Sequence, residues 1–126
     1  MKPVLRPIAI TLGDPAGIGP ETIAKAFRDT PDATAGCFVV GDVGVLRRAV
    51  GYATGAGQVA LPVAQITSPA EVATLPPRCI PVLQIHEHAA PVLRMGQVSG
   101  VAGRLAGDCV VWAARAALRG DIAALV

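Results

Sequence analysis

Aromatic side chains are scarce: one Trp, one Tyr and two Phe stand among 126 residues. A surface that stacks bases needs more than these, and the arginines are scattered rather than gathered into a basic stripe. With 11 Lys and Arg against 9 Asp and Glu, for a net charge of +2, nothing favours a nucleic-acid partner. Histidine occurs only at His86 and His88. The three cysteines, Cys37, Cys79 and Cys109, are far apart in apolar settings. Their odd number and spacing suit neither a disulfide framework nor a zinc site, so they read as reduced, buried thiols of a cytoplasmic protein. No run reaches the roughly 18 continuous apolar residues that a membrane span requires. The first apolar run is soon interrupted by Gly13-Asp14-Pro15, which does not suit a secretory leader. A Gly-x-Ser-x-Gly elbow is missing, as is any other nucleophile–base arrangement.

What is there is aliphatic. The chain is 52% hydrophobic with only 3% aromatic residues, so its core must be built from Ala, Val, Leu and Ile. Its length suits one domain with a real core. The most informative stretch is Thr11-Leu12-Gly13-Asp14-Pro15-Ala16-Gly17-Ile18-Gly19-Pro20-Glu21. It follows an apolar strand-like segment, Ile8-Ala9-Ile10, and precedes a helical pattern with Ile23, Ala24 and Phe27 on one side. Strand-to-helix turns of this kind are where α/β proteins place ligands. Three glycines permit close backbone approach, while Pro15 and Pro20 stiffen the loop. Pro20 fits the start of a helix, and Glu21 complements its dipole.

This turn is neither of the common phosphate cradles. A P-loop carries Lys-Ser/Thr after its last glycine, and Pro-Glu stands here instead. The dinucleotide fingerprint is Gly-x-Gly-x-x-Gly, and the spacing here is Gly-x-x-x-Gly-x-Gly. Asp14 and Glu21 also place negative charge beside amides that would otherwise attract an anion. A polar contact to ligand hydroxyl or amide groups, or a rigid wall to a cofactor pocket, fits better than phosphate binding. A stiff turn with Asp14 as a purely local acceptor explains the same residues.

The rest alternates strands and helices. Cys37-Phe38-Val39-Val40 reads as a buried parallel strand, and Asp42 as the N-cap of a helix from Val43 to about Val50 that Gly51 breaks. Asp42 also stands at a strand end, where a ligand contact is the other reading. Val59–Val63 is expected as a short strand weakened by Pro62, and residues 64–79 as loop with a helical turn near Ala70-Glu71-Val72. Ile80–Ile85 is the next strand, 86–99 is irregular, and a long helix runs from about Gly100 to Leu118, capped by Gly120. Val101, Leu105, Cys109, Trp112 and Ala116 recur on it at helical spacing, Trp112 as core. Asp121–Val126 begins a last apolar strand that stops where its functional loop would begin, so residues 1–126 are expected to be a partial α/β domain of a longer protein. His86 and His88 could share a metal on an extended backbone, but no third ligand is near and a surface loop is the plainer reading. Asp108 and Asp121 are expected to solvate the helix surface and its end.

Ile10–Glu21 resembles the N-terminal signature of the 4-hydroxythreonine-4-phosphate dehydrogenase family. A second match is Gly96-Gln97-Val98-Ser99, then Gly103, Ala113-Ala114, Ala117-Leu118 and Gly120–Val126. It resembles the family's Gly-Lys-x-Ser segment, helix and following strand, with Gln97 departing from the Lys. The resemblance runs the length of the chain and is weakest over 51–95. It implies the isocitrate/isopropylmalate dehydrogenase-like class: an α/β, two-domain fold with a mostly parallel sheet flanked by helices, in a homodimer. It further implies oxidation of 4-phosphohydroxy-L-threonine with NAD or NADP to a 3-keto acid. That acid decarboxylates to 3-amino-2-oxopropyl phosphate, on the way to pyridoxine 5'-phosphate (vitamin B6). A divalent metal (Zn, Mg or Co) is implied on histidines beyond residue 126, so neither His86 nor His88 takes a metal role. Of the turn, Asp14 and Gly17 are implied to line the cleft near the cofactor, and no catalytic residue is placed in this segment. A paralogue acting on 4-phospho-D-threonate or a dihydrodiol acid, and a noncatalytic truncated remnant, are the competing expectations. An incompletely covered apolar face is expected too.

Overall fold

The computed structural model describes residues 5–126. Its elements run β1 (Ile8–Thr11), α1 (Gly19–Asp29), the one-turn α2 (Pro31–Thr34), β2 (Cys37–Gly41) and α3 (Val43–Ala53). They continue with β3 (Val63–Ile66), a 3-10 turn (Pro69–Thr74), β4 (Ile80–Gln84), α4 (Gly100–Arg119) and β5 (Ala124–Leu125). The five strands form one sheet in the order β3-β4-β2-β1-β5. Every pairing among them is parallel, with Ile8 opposite Cys37, Val39 opposite Val82, Val63 opposite Ile80 and Ile8 opposite Ala124. This bears out the expected α/β class.

Sequence chemistry explains the layers. β2 is buried along its whole length, which is why its run is continuously apolar. The connections from β1 to β2 and from β2 to β3 run the same way across the sheet, and the one from β4 to β5 runs back. Right-handed crossovers therefore set α1 and α3 on one face and α4 on the other. On the first face α1 and α3 pack together, with Ile23, Ala24, Phe27, Leu46, Ala49 and Val50 buried. At the far end of that pair the Arg28 guanidinium donates to the Ala53 carbonyl, tying the end of α1 to the last turn of α3. On the other face Trp112 of α4, half-buried, meets Phe38 of β2 edge-on with ring centroids 6.2 Å apart, so the sole Trp packs against the core. The caps of α4 are those the sequence indicates: Ser99 Oγ accepts from the Ala102 amide, and Gly120 takes the left-handed conformation.

Several boundaries differ from expectation. α3 does not stop at Gly51 but continues to Ala53, because one mid-helix glycine costs only about 1 kcal/mol and packing outweighs it. Val59–Val63 is not a strand, and Val59 is 90% exposed. The strand lies at Val63–Ile66, where pairing with β4 fixes it despite the exposed Gln65. On α4 the buried positions are Ala102, Cys109, Ala113 and Ala116, while Val101 is exposed. Cys37 and Cys109 are buried as expected, but Cys79 is only half-buried. Val110 and Val111 of α4, and Leu125 and Val126 at the end of β5, are exposed.

Candidate functional site at the carboxyl ends of the strands

The sheet order puts β2 on one side of β1 and β5 on the other, so the chain's direction of travel reverses at β1. Ligand crevices of open α/β sheets lie outside the strand ends at such a point. The turn that leaves β1 there is Gly13–Glu21. Gly13 has φ +75°, a conformation that favours glycine. Asp14 closes the turn twice: its Oδ1 accepts from the Ala16 amide at 2.8 Å, and its carbonyl accepts from the Gly17 amide at 3.0 Å. Asp14 itself is exposed and Gly17 half-buried. Glu21 lies along α1, paired with Lys25 at 2.9 Å.

The turn sits on β2 through a close approach. The Leu12 amide donates to the Val40 carbonyl, and a Cβ at Gly41 would lie 2.6 Å from the Leu12 Cβ. Only glycine at 41 lets the β1 turn cross there. Beside it, Asp42 is the N-cap of α3, with Oδ1 accepting from the Val45 amide at 2.9 Å. Its Oδ2 accepts from Gln84 Nε2 at 3.0 Å and from the Ala90 amide at 2.8 Å. Gln84 Oε1 in turn accepts from the Val43 amide at 2.8 Å. Burial alone would raise the Asp42 pKa, but hydrogen bonds from Gln84, Ala90, Val45 and Gly44 outweigh it and hold the carboxyl below its ordinary value. Both Asp42 oxygens are thus committed to the scaffold, which settles its two readings in favour of the cap.

The two histidines part company. His86 Nε2 lies 2.9 Å from Asp108 Oδ2, joining the segment after β4 to α4. His88 is exposed, in a bend rather than an extended strand. Asp108 is therefore paired rather than simply solvated, and Asp121 pairs with Arg119 at 2.8 Å. Among the described residues no three of His, Cys, Asp and Glu gather into a metal-binding group. Those side chains therefore form no ready site for a divalent ion. Cys109 is buried, and burial pushes its thiol up to about 11, away from the thiolate form.

Two small clefts flank the turn. One, of about 20 Å³, is lined by Pro15, Gly17, Glu21, Arg48, Tyr52 and Met95 among others. The second, of about 10 Å³, is lined by Leu12, Gly13, Pro15, Asp42, His86 and Cys109 among others. Both fall below the roughly 300–1,000 Å³ of ordinary small-molecule sites. A dinucleotide does not fit inside either. The residues that support this turn and Asp42 without being singled out from the sequence are Gly41, Gln84 and Ala90. Gly41-Asp42 at a strand end was a usable signal for the first, whereas nothing local marks the other two.

No family model matches the chain. Among curated proteins it is 37% identical over 120 residues to the 4-hydroxythreonine-4-phosphate dehydrogenase of Trichlorobacter lovleyi, covering 94% of this chain and 34% of that protein. It is 38% identical over 120 residues to the D-threonate 4-phosphate dehydrogenase of Salmonella typhimurium, covering 94% of this chain and 35% of the relative. Among solved structures, the 4-hydroxythreonine-4-phosphate dehydrogenase of Klebsiella pneumoniae superposes with a TM-score of 0.80 at 36% identity, over 95% of this chain and 36% of that one. The family resemblance read from Ile10–Glu21 thus extends over nearly the whole chain, and the solved neighbour has the same α/β fold. The chain spans about a third of the length of the curated relatives it matches.

Proposed function

We propose that this chain forms the N-terminal α/β part of an NAD- or NADP-dependent dehydrogenase that oxidises a phosphorylated hydroxy acid, 4-phosphohydroxy-L-threonine in the first instance. The observation that carries this reading is the Gly13–Glu21 turn, set at the switch point of a parallel sheet in a chain whose similar proteins are dehydrogenases. In this reading Asp14 and Gly17 line the cleft near the cofactor. Gly17 lets the ligand approach the backbone, and Asp14 holds the turn rigid while one carboxylate oxygen remains for a hydroxyl or amide. The nicotinamide, when bound, supplies the acceptor for hydride. This segment supplies a stiff wall and no proton-transfer group of its own. Metal ligands, the homodimer, the cytoplasmic setting and the link to vitamin B6 are part of the same proposal for the full-length enzyme.

The second reading is oxidation of 4-phospho-D-threonate, favoured by the similarity to a D-threonate 4-phosphate dehydrogenase. Both substrates carry a phosphate and a secondary alcohol, so this turn does not discriminate them. The test is reduction of NAD and NADP, followed at 340 nm, by the full-length polypeptide that contains residues 1–126, offered each substrate in turn. Turnover of phosphohydroxythreonine in clear preference supports the first reading, and turnover of the threonate alone replaces it with the second. Residues 1–126 by themselves are expected to reduce neither cofactor. NADH formation by that chain alone would overturn the view of the segment as a wall. In the full-length enzyme Asp14→Ala is expected to raise KM for the cofactor roughly tenfold, the worth of one or two hydrogen bonds. An unchanged KM would remove Asp14 from the site.

A further inference from the structure

We infer that residues 86–98 are a strap that opens as a unit, while the sheet stays folded, to uncover the Gly13–Glu21 turn. The segment joins the end of β4 to the start of α4 and contains no helix or strand. Most of its side chains are exposed, Val92 and Val98 almost completely. Four polar contacts hold it: Gln84 Nε2 donates to the His86 carbonyl at 3.4 Å, and three further anchors reach different parts of the scaffold. His86 Nε2 meets Asp108 Oδ2 on α4 at 2.9 Å, the Ala90 amide donates to Asp42 Oδ2 at 2.8 Å, and the Gly96 amide donates to the Ala16 carbonyl at 2.7 Å. Of its apolar side chains, Ala90 is packed against the core. A segment with few buried apolar contacts and a handful of hydrogen bonds sits at the low end of local stability.

What the strap covers gives the opening its consequence. Met95 walls the cleft that contains Gly17, and His86 walls the one that contains Gly13. Pro15 lines both, so the strap brackets the turn on its two sides. Ala16 lies between them, 1% exposed, its amide held by Asp14 and its carbonyl by Gly96. A ligand that contacts this backbone meets the strap first. The opening itself does not depend on the dehydrogenase reading, so the two fail separately.

Hydrogen exchange of the 126-residue chain, read by mass spectrometry, tests it. Amides in 86–98 are expected to exchange well before those of β1, β2 and β4. Asp108→Ala is expected to speed exchange in 86–98 several-fold and up to roughly tenfold, the worth of one charge-assisted anchor, and leave the strand amides unchanged. Ala90→Pro, which removes a different anchor, is expected to do the same. As a second readout, Ala16→Cys is expected to be alkylated slowly by iodoacetamide, and faster by the same factor in the Asp108→Ala background. Strap amides that exchange only in step with β2, or variants that speed strap and strands equally, would overturn the inference. Should Ala16→Cys not fold, the exchange data on the first two variants decide alone.

Discussion

Asp42 is a short side chain with four hydrogen-bonded neighbours and little water, and that combination makes its removal costly. Asp42→Ala uncaps α3, strands the Ala90 amide without an acceptor and leaves Gln84 Nε2 only its long bond to the His86 carbonyl. The expected loss is about 2–4 kcal/mol, measured as a shift of the urea midpoint. Its protonation has a definite sign. The folded carboxyl titrates below its value in the unfolded chain, so the unfolded state binds the proton more readily. Its contribution is therefore complete above the unfolded value of about 3.9 and is lost as pH falls through the lower folded value. Asp42→Asn is expected to be less stable at pH 7 and to show a flatter melting temperature between pH 5 and 3 on the order of a few degrees. Gly41 makes a separate prediction. A Cβ there meets the Cβ of Leu12 at 2.6 Å, so Gly41→Ala is expected to cost about 1–3 kcal/mol. Leu12→Ala is not expected to rescue it, because the closest atom is one that alanine keeps. Rescue in a double-mutant cycle would show that the clash is with the outer methyls instead.

The elements differ in how plainly the chain announces them, and the difference has physical causes. α4 was legible at both ends because Ser99 and Gly120 act on their immediate neighbours. β2 was legible because burial on both faces demands an unbroken apolar run. β3 was not, since an edge strand takes its position from its partner, and Val63-Ala64-Gln65-Ile66 carries no pattern of its own. The site divides the same way. Gly13, Asp14 and Gly17 act locally and can be read, whereas the bonds of Asp42 to Gln84 and Ala90 join residues more than forty apart, and only the fold brings them together. α3 offers a test at this scale. Gly51 has ordinary helical neighbours, no positive φ, and open space where a Cβ would stand. Gly51→Ala is expected to stabilise by about 0.5–1 kcal/mol, seen as a raised melting temperature. A loss of stability would mean that the last turn of α3 is held by something other than its own backbone.

At the scale of the molecule, the first and last strands close the fold on each other. Val126 receives the Thr11 amide and hydroxyl and gives its own amide to the Ala9 carbonyl, across 115 or more residues of chain. Val126 and its neighbour Leu125 are apolar and exposed, so self-association that rises with concentration and salt is expected by light scattering. A monomer at all accessible concentrations would show that those few exposed side chains are tolerated.

The wholly parallel sheet also sets a tempo. Parallel neighbours are never joined by a tight hairpin, so each pairing waits on a long loop to close, and the β1–β5 pair waits on nearly the whole chain. Refolding should fall toward the slow end for a domain of this size, with Trp112 fluorescence as the clock. The β1–β5 zipper should form after the rate-limiting barrier. Weakening it, as in Thr11→Val, should hasten unfolding and leave the refolding rate alone. The nascent chain thus holds its signature turn before the strand that will flank it has arrived.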